Sequence, residues 1–251
     1  MHVDRVQQLD EAARAVGGSE PHRALFFEGQ EGIGKTALLT ELHRRHSDTT
    51  IFYVDLGDMF SESDVLGAVA RQASRQGVRM DSFRALRQRY GEAPSVVFNH
   101  AEIKKANVDL ALNVNSNRRM QNDALTDELV AALGESAHSS RIIMLLDSFE
   151  KCQAPLSDWI RRDLLPELLT SGRVGVFLAG RSVPSLQPQH SGLTRTLALP
   201  PFDPSIVEEW IALSGIEALK GLGHVIWGGT GGLPSMIKEF LSNYSTAEWP
   251  S

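Results

Sequence analysis

Short apolar runs alternate along this chain with stretches in which apolar residues recur every three or four positions. The runs at 24–27, 51–54, 142–146, 174–179 and 196–199 have the length and the branched or aromatic content of buried strands. Between them, Val65, Leu66 and Val69 mark one helical face, and Leu125, Leu129, Val130 and Leu133 mark a second. A third carries Trp159, Ile160, Leu164, Leu165, Leu168 and Leu169 and is interrupted by Pro166. This alternation predicts βαβ units and therefore an α/β fold, a mainly parallel five-stranded sheet covered by helices on both faces.

Between Gly77 and Gln121 the pattern changes. The run at 95–98 and the alternating stretch at 108–114 read as two strands joined by a polar segment, an inserted β-hairpin. Such an insertion is either a solvated excursion or a recognition or oligomer-contact element on the rim of the core. Beyond Leu199, the sequence Pro200-Pro201-Phe202-Asp203-Pro204 closes the sheet region. Helices are expected from Ser205 onward, where Ile206, Val207, Trp210 and Ile211 are spaced along one face. Another is expected ahead of the cluster Gly228-Gly229-Thr230-Gly231-Gly232, and a last one over 235–241. The organisation expected is a core over 1–200, a small helical lid over 201–242 and a polar tail over 243–251.

The first apolar run feeds Gly29-Gln30-Glu31-Gly32-Ile33-Gly34-Lys35-Thr36, a complete G-x-x-x-x-G-K-[ST] loop, with Ala37, Leu38, Leu39 and Leu42 continuing at helical spacing. A strand that ends in a glycine-rich turn and enters a helix presents successive backbone N–H groups, the cradle that nucleotide phosphates need. Lys35 is placed to reach the β- and γ-phosphates, and the Thr36 hydroxyl to ligate Mg²⁺. A second acid for the metal stands at Asp147, the end of the apolar strand Ile142-Ile143-Met144-Leu145-Leu146. Glu150, three residues on, is either the base that orients the attacking water or an acid opening a helix. Arg181 follows the strand at 174–179, where a cation can grip a γ-phosphate or cap a loop carbonyl.

Composition narrows the class. Hydrophobic residues make up 42% and charged residues 22%, ordinary for a packed domain, and 251 residues suffice for one large α/β unit. The formal net charge of −6 argues against a dedicated nucleic-acid binder, although local basic patches remain compatible with it. The single cysteine, Cys152, makes no internal disulfide and reads as an inert structural thiol in a reducing, cytoplasmic setting. No stretch approaches the length of a membrane span.

These motifs resemble the STAND class of signal-transducing P-loop ATPases, which includes the NB-ARC and NACHT switch proteins and bacterial AP-ATPases. The loop from Gly29 to Thr36 has the form typical of that class, Leu145-Leu146-Asp147-Ser148-Phe149-Glu150 looks like its Walker B, and Arg181 like its strand-end sensor arginine. Gly232-Leu233-Pro234 looks like its Gly-x-Pro lid motif, and Val3-Asp4-Arg5 like its N-terminal arginine motif. The resemblance implies an additional-strand P-loop NTPase fold, ATP and Mg²⁺ as ligands, and Pro234 and Arg5 beside the adenine. It implies a regulatory ATPase, a switch that controls self-assembly or an effector or sensor on separate chains or further domains. Three departures accompany it. The separation of Lys35 from Asp147 is long, Lys151 stands where many NACHT-type members carry a second acid, which implies slow hydrolysis, and the chain stops shortly after the lid helix. The alternative is an AAA+-like ATPase acting on DNA, of the origin-recognition or transposition type. A nucleotide-binding scaffold without turnover is a third reading. No Asn-Lys-x-Asp motif follows Asp147, which argues against guanine nucleotides.

Overall fold

The computed structural model describes residues 5–17, 22–91, 106–137 and 141–246. Its centre is one five-stranded sheet built from β1 (Ala24–Glu28), β2 (Thr50–Asp55), β3 (Ile142–Asp147), β4 (Val174–Gly180) and β5 (Thr194–Ala198). The order is β2-β3-β4-β1-β5 and every pairing is parallel, so all five carboxyl ends lie along one edge. Each strand runs one or two residues past, or starts before, the corresponding apolar run of the sequence. Register aligns Leu25 with Phe177, and Asp55 with Asp147.

Period-two geometry sends alternate side chains to opposite faces, and the core divides accordingly. On one face Leu25, Phe27, Ile143, Leu145 and Phe177 pack against Leu9 and Ala12 of α1 (Val6–Gly17) and Leu38, Leu39 and Leu42 of α2 (Lys35–Arg45). On the other, Phe26, Phe52, Val54, Met144 and Leu178 meet α3 (Glu62–Arg75), α4 (Asp81–Gly91) and α5 (Ala106–Ser136). That layer also includes α6 (Leu156–Trp159), a π-helical turn (Ile160–Leu164) and α7 (Leu165–Ser171). After the short α8 (Pro188–Ser191) and β5, the chain forms α9 (Pro204–Ser214), α10 (Gly223–Thr230) and α11 (Pro234–Thr246). These last helices carry their own cluster of Phe202, Val207, Ile211, Leu219, Ile226, Ile237 and Leu241.

Three sequence expectations need correction. The alternating stretch at 108–114 is not a strand but part of α5. Its apolar positions 110 and 114 also satisfy an i, i+4 spacing, and the good helix formers Arg118, Arg119, Met120 and Gln121 extend it. The partner run at 95–98 lies outside the described residues. Pro166 does not break its helix. It sits in the first turn of α7, and the preceding π-turn, in which Leu165 N–H donates to Ile160 O, carries the chain into it without demanding a donor from the proline. Finally, α11 continues to Thr246, beyond the expected end at 241.

Candidate nucleotide site

The loop Gly29–Thr36 joins β1 to α2 at the carboxyl edge of the sheet. Gly32 and Gly34 take φ of 77° and 97°, the left-handed region that glycine alone enters without strain. Ile33, between them, is fully buried and anchors the loop to the core. Around this loop lies a cleft of about 660 Å³. Among the expected residues, Glu31, Gly32, Gly34, Lys35, Thr36, Ala37, Asp147, Glu150, Arg181 and Pro234 line it together. The strand order makes this possible: β1 delivers the loop, β4 next to it delivers Arg181, and β3 beyond delivers Asp147 and Glu150.

Lys35 folds back over the loop, its Nζ donating to Gly29 O at 2.7 Å and Gln30 O at 2.9 Å. Burial holds its ammonium below the ordinary lysine range, while the carboxylates of Glu150 and Asp147 pull in the opposite direction. Arg181 bridges two acids. Its Nη2 lies 2.8 Å from Glu31 Oε2, its Nε lies 3.7 Å from Glu150 Oε1, and its backbone N–H donates to Glu150 Oε2 at 3.0 Å. At Gly180, one residue earlier, a methyl group would strike the Ser182 carbonyl and crowd Glu150 Oε2, at 3.3 Å.

Asp147 is buried, and both its oxygens are held. Ser148 N–H donates to Oδ1 at 2.8 Å and the Tyr53 hydroxyl to Oδ2 at 2.8 Å. Ser148 reaches its place at φ 60°, the one described non-glycine residue in the left-handed region, a strained conformation of the kind that collects at functional sites. Burial, then the bond to Asp147, pushes the Tyr53 phenol above its usual range, so the hydroxyl remains a donor. No group of three or more His, Cys, Asp or Glu residues able to hold a metal occurs among the described residues. Thr36 and Asp147 both line the cleft and are oxygen donors there that could serve a cation such as Mg²⁺ beside phosphate oxygens and water.

Gly29, Gln30, Ile33 and Arg5 do not line the cleft. Gly29 and Gln30 present carbonyls to Lys35, and Arg5 donates from Nη2 to Ile33 O at 3.0 Å with its guanidinium 4.8 Å from the Phe202 ring centre. Sequence reasoning missed Tyr53, Ser148, Phe202, Trp210, Ser235 and Lys238 as site residues. Phe202 and Trp210 make an edge-to-face pair, ring centres 5.9 Å apart, and offer an aromatic wall to a flat ring. The available signal was their place: an aromatic just past the last strand, at the edge where the phosphate loop also ends. The α11 amino end is fastened to the loop itself, Ser235 N–H donating to Gly32 O at 3.1 Å. Cys152 accords with a structural role, burial pushing its thiol up to about 11.

No protein-family model and no curated protein matches the sequence. Solved structures do. The chain is similar to a signal transduction ATPase with numerous domains (STAND) protein with a tetratricopeptide repeat sensor from Pyrococcus horikoshii. That likeness has a TM-score of 0.61 and 14% identity, and covers 100% of this chain and 31% of the other. It is also similar to the ORC1 protein of Aeropyrum pernix, solved in complex with DNA, with a TM-score of 0.50 and 18% identity over 82% of this chain and 47% of that one. The chain thus spans less than half the length of either protein. At these identities the likeness is one of fold alone, that of a P-loop NTPase core.

Proposed function

We propose that this chain is an ATP-binding, slowly ATP-hydrolysing molecular switch of a STAND-type signalling or defence system. Nucleotide state would set the placement of α9 to α11, read here as a lid, and through it self-assembly or a separate effector. The observation that carries this reading is the hydrogen bond from Ser235 to Gly32, because it ties the last helix directly to the loop that meets the phosphates.

In this reading Lys35 leaves the Gly29 and Gln30 carbonyls for the β- and γ-phosphates. Thr36 would ligate Mg²⁺ and Asp147 would hold it through its water shell, and the ion would neutralise phosphate charge. Glu150 accepts the proton of the attacking water, and Arg181 exchanges Glu31 for the γ-phosphate. Pro234, Phe202 and Trp210 flank the base. ADP offers no γ-phosphate, so Arg181 stays with Glu31, and that difference in contacts is what shifts the population between two states.

Size-exclusion chromatography with ADP and then with a slowly hydrolysed ATP analogue tests the proposal. A nucleotide-dependent change in elution is expected. Tight binding of both with identical elution and identical protease sensitivity of α9 to α11 would leave a nucleotide-binding scaffold and no switch.

A further inference from the structure

The segment from Arg71 to Arg89 holds six arginines, Arg71, Arg75, Arg79, Arg84, Arg87 and Arg89, against a single acid, Asp81, in a chain whose formal net charge is −6. The fold concentrates four of them. Arg71 and Arg75 stand one turn apart on α3, Arg84 and Arg87 one turn apart on α4, and the four wall a cleft of about 290 Å³ with Ser74. Its floor is Gly67, Ala70 and the fully buried Phe83. None of its lining residues belongs to the nucleotide cleft.

The arginines are exposed, yet they are not splayed apart as mutual repulsion favours. A methyl group at Gly67 would lie 2.9 Å from Arg87 Nη1 and 3.2 Å from Arg71 Nη1, so two guanidinium groups from different helices converge over the bare helix backbone. Arg84 donates to the Ser74 hydroxyl, and its nearest carboxylate among the described ion pairs is Asp81, at 4.0 Å. Like charges gathered this way destabilise the empty protein and are relieved by an anion. The residue type indicates which anion. Guanidinium forks pair with oxygens two at a time, and a planar carboxylate is satisfied by one fork. A tetrahedral phosphate has oxygens for several donors approaching from two sides, which is the arrangement α3 and α4 offer.

We propose that this arginine cleft is a second anion site, separate from the nucleotide cleft, that binds a phosphate group. Free polyphosphate and the backbone phosphates of a nucleic-acid strand both supply that chemistry. The contact is charge-assisted and solvent-exposed, so its affinity falls steeply with salt.

The test uses the full chain carrying Lys35→Ala, which weakens binding in the nucleotide cleft, with inorganic tripolyphosphate, a thymidine oligonucleotide and a polyglutamate peptide as probes. Calorimetry or fluorescence anisotropy at low salt should show saturable binding of tripolyphosphate, of the oligonucleotide, or of both. Adding Arg71→Gln and Arg87→Gln should weaken it about tenfold or more with unchanged circular dichroism. Binding of tripolyphosphate alone identifies a free anion as the ligand, and stronger binding of the oligonucleotide identifies the polymer. No binding by either, equal binding after the arginine substitutions, or polyglutamate binding as tight as polyphosphate would overturn the assignment. Because Lys35 is already altered, these outcomes leave the reading of the nucleotide cleft untouched.

Discussion

The Tyr53 hydroxyl on β2 donates to Asp147 Oδ2 on β3 at 2.8 Å, fixing the orientation of the acid expected to face Mg²⁺. The parallel register of the two strands places their carboxyl ends side by side, so a residue with no part in the sequence motifs reaches Asp147.

Tyr53→Phe should therefore keep the packing and lose the orienting bond. A neutral-donor hydrogen bond is worth about 1 kcal/mol, so the Mg²⁺ concentration that half-supports nucleotide binding should rise roughly fivefold. Magnesium titration of a fluorescent nucleotide complex measures this, and an unchanged titration with a lowered melting temperature would reduce Tyr53 to a packing role.

Lys35→Ala should cost nucleotide affinity by about tenfold to a hundredfold, the worth of one charge-assisted contact of about 1.5 to 3 kcal/mol. Calorimetric titration with the Mg²⁺ complex of ATP reads it directly. Equal affinity in the variant would remove the loop from the phosphate site.

The Arg181 pairing predicts opposite behaviour for its two acids. Glu150→Gln should retain ATP binding and slow hydrolysis, since an amide cannot accept the proton of water. Glu31→Gln should release Arg181 and widen the preference for ATP over ADP by a few-fold, less at high salt because the pair is exposed. Wild-type hydrolysis in Glu150→Gln would give the base role to another residue.

Asp203 caps α9, its Oδ1 accepting from Ser205 N–H at 3.0 Å and Ile206 N–H at 3.1 Å. The Ser205 hydroxyl bond first, then the Ile206 backbone bond, lowers its carboxyl below the ordinary range. A depressed folded-state value means that the cap stabilises above the unfolded carboxyl value of about 4 and is lost as pH falls through the lower folded one. Asn caps as well as Asp, so Asp203→Asn should match the wild type at neutral pH and melt less pH-dependently in acid. Thermal melts across that range decide it, and a neutral-pH loss would show that the charge itself matters.

The sheet was legible because a buried parallel strand is written locally, as at 142–146 and 174–179, and the phosphate loop because its chemistry needs contiguous residues. The stretch at 108–114 was not, since five apolar residues in seven satisfy both a strand and a helix until their neighbours decide. Tyr53, Phe202 and Ser235 were hidden for another reason. Each joins the cleft through a contact between elements far apart in sequence, and no local pattern encodes a contact of that kind. Arg5, expected beside the base, contacts both the loop, at Ile33 O, and the ring of Phe202, which lines the cleft.

β1 lies between β4 and β5, so Ala24 pairs with Val176 on one side and Thr194 on the other. A ribosome therefore releases the phosphate loop long before the strands that flank it exist. Until residue 180 has emerged β1 has neither partner, and until residue 198 has emerged one of its two edges stays unpaired and open to wrong partners. Such long-range parallel pairing is intrinsically slow. Nascent chains arrested before β4 should be protease-sensitive at β1, should gain partial protection once β4 is free of the exit tunnel and full protection only with β5, which makes completion of the sheet edge a late event in the life of each molecule.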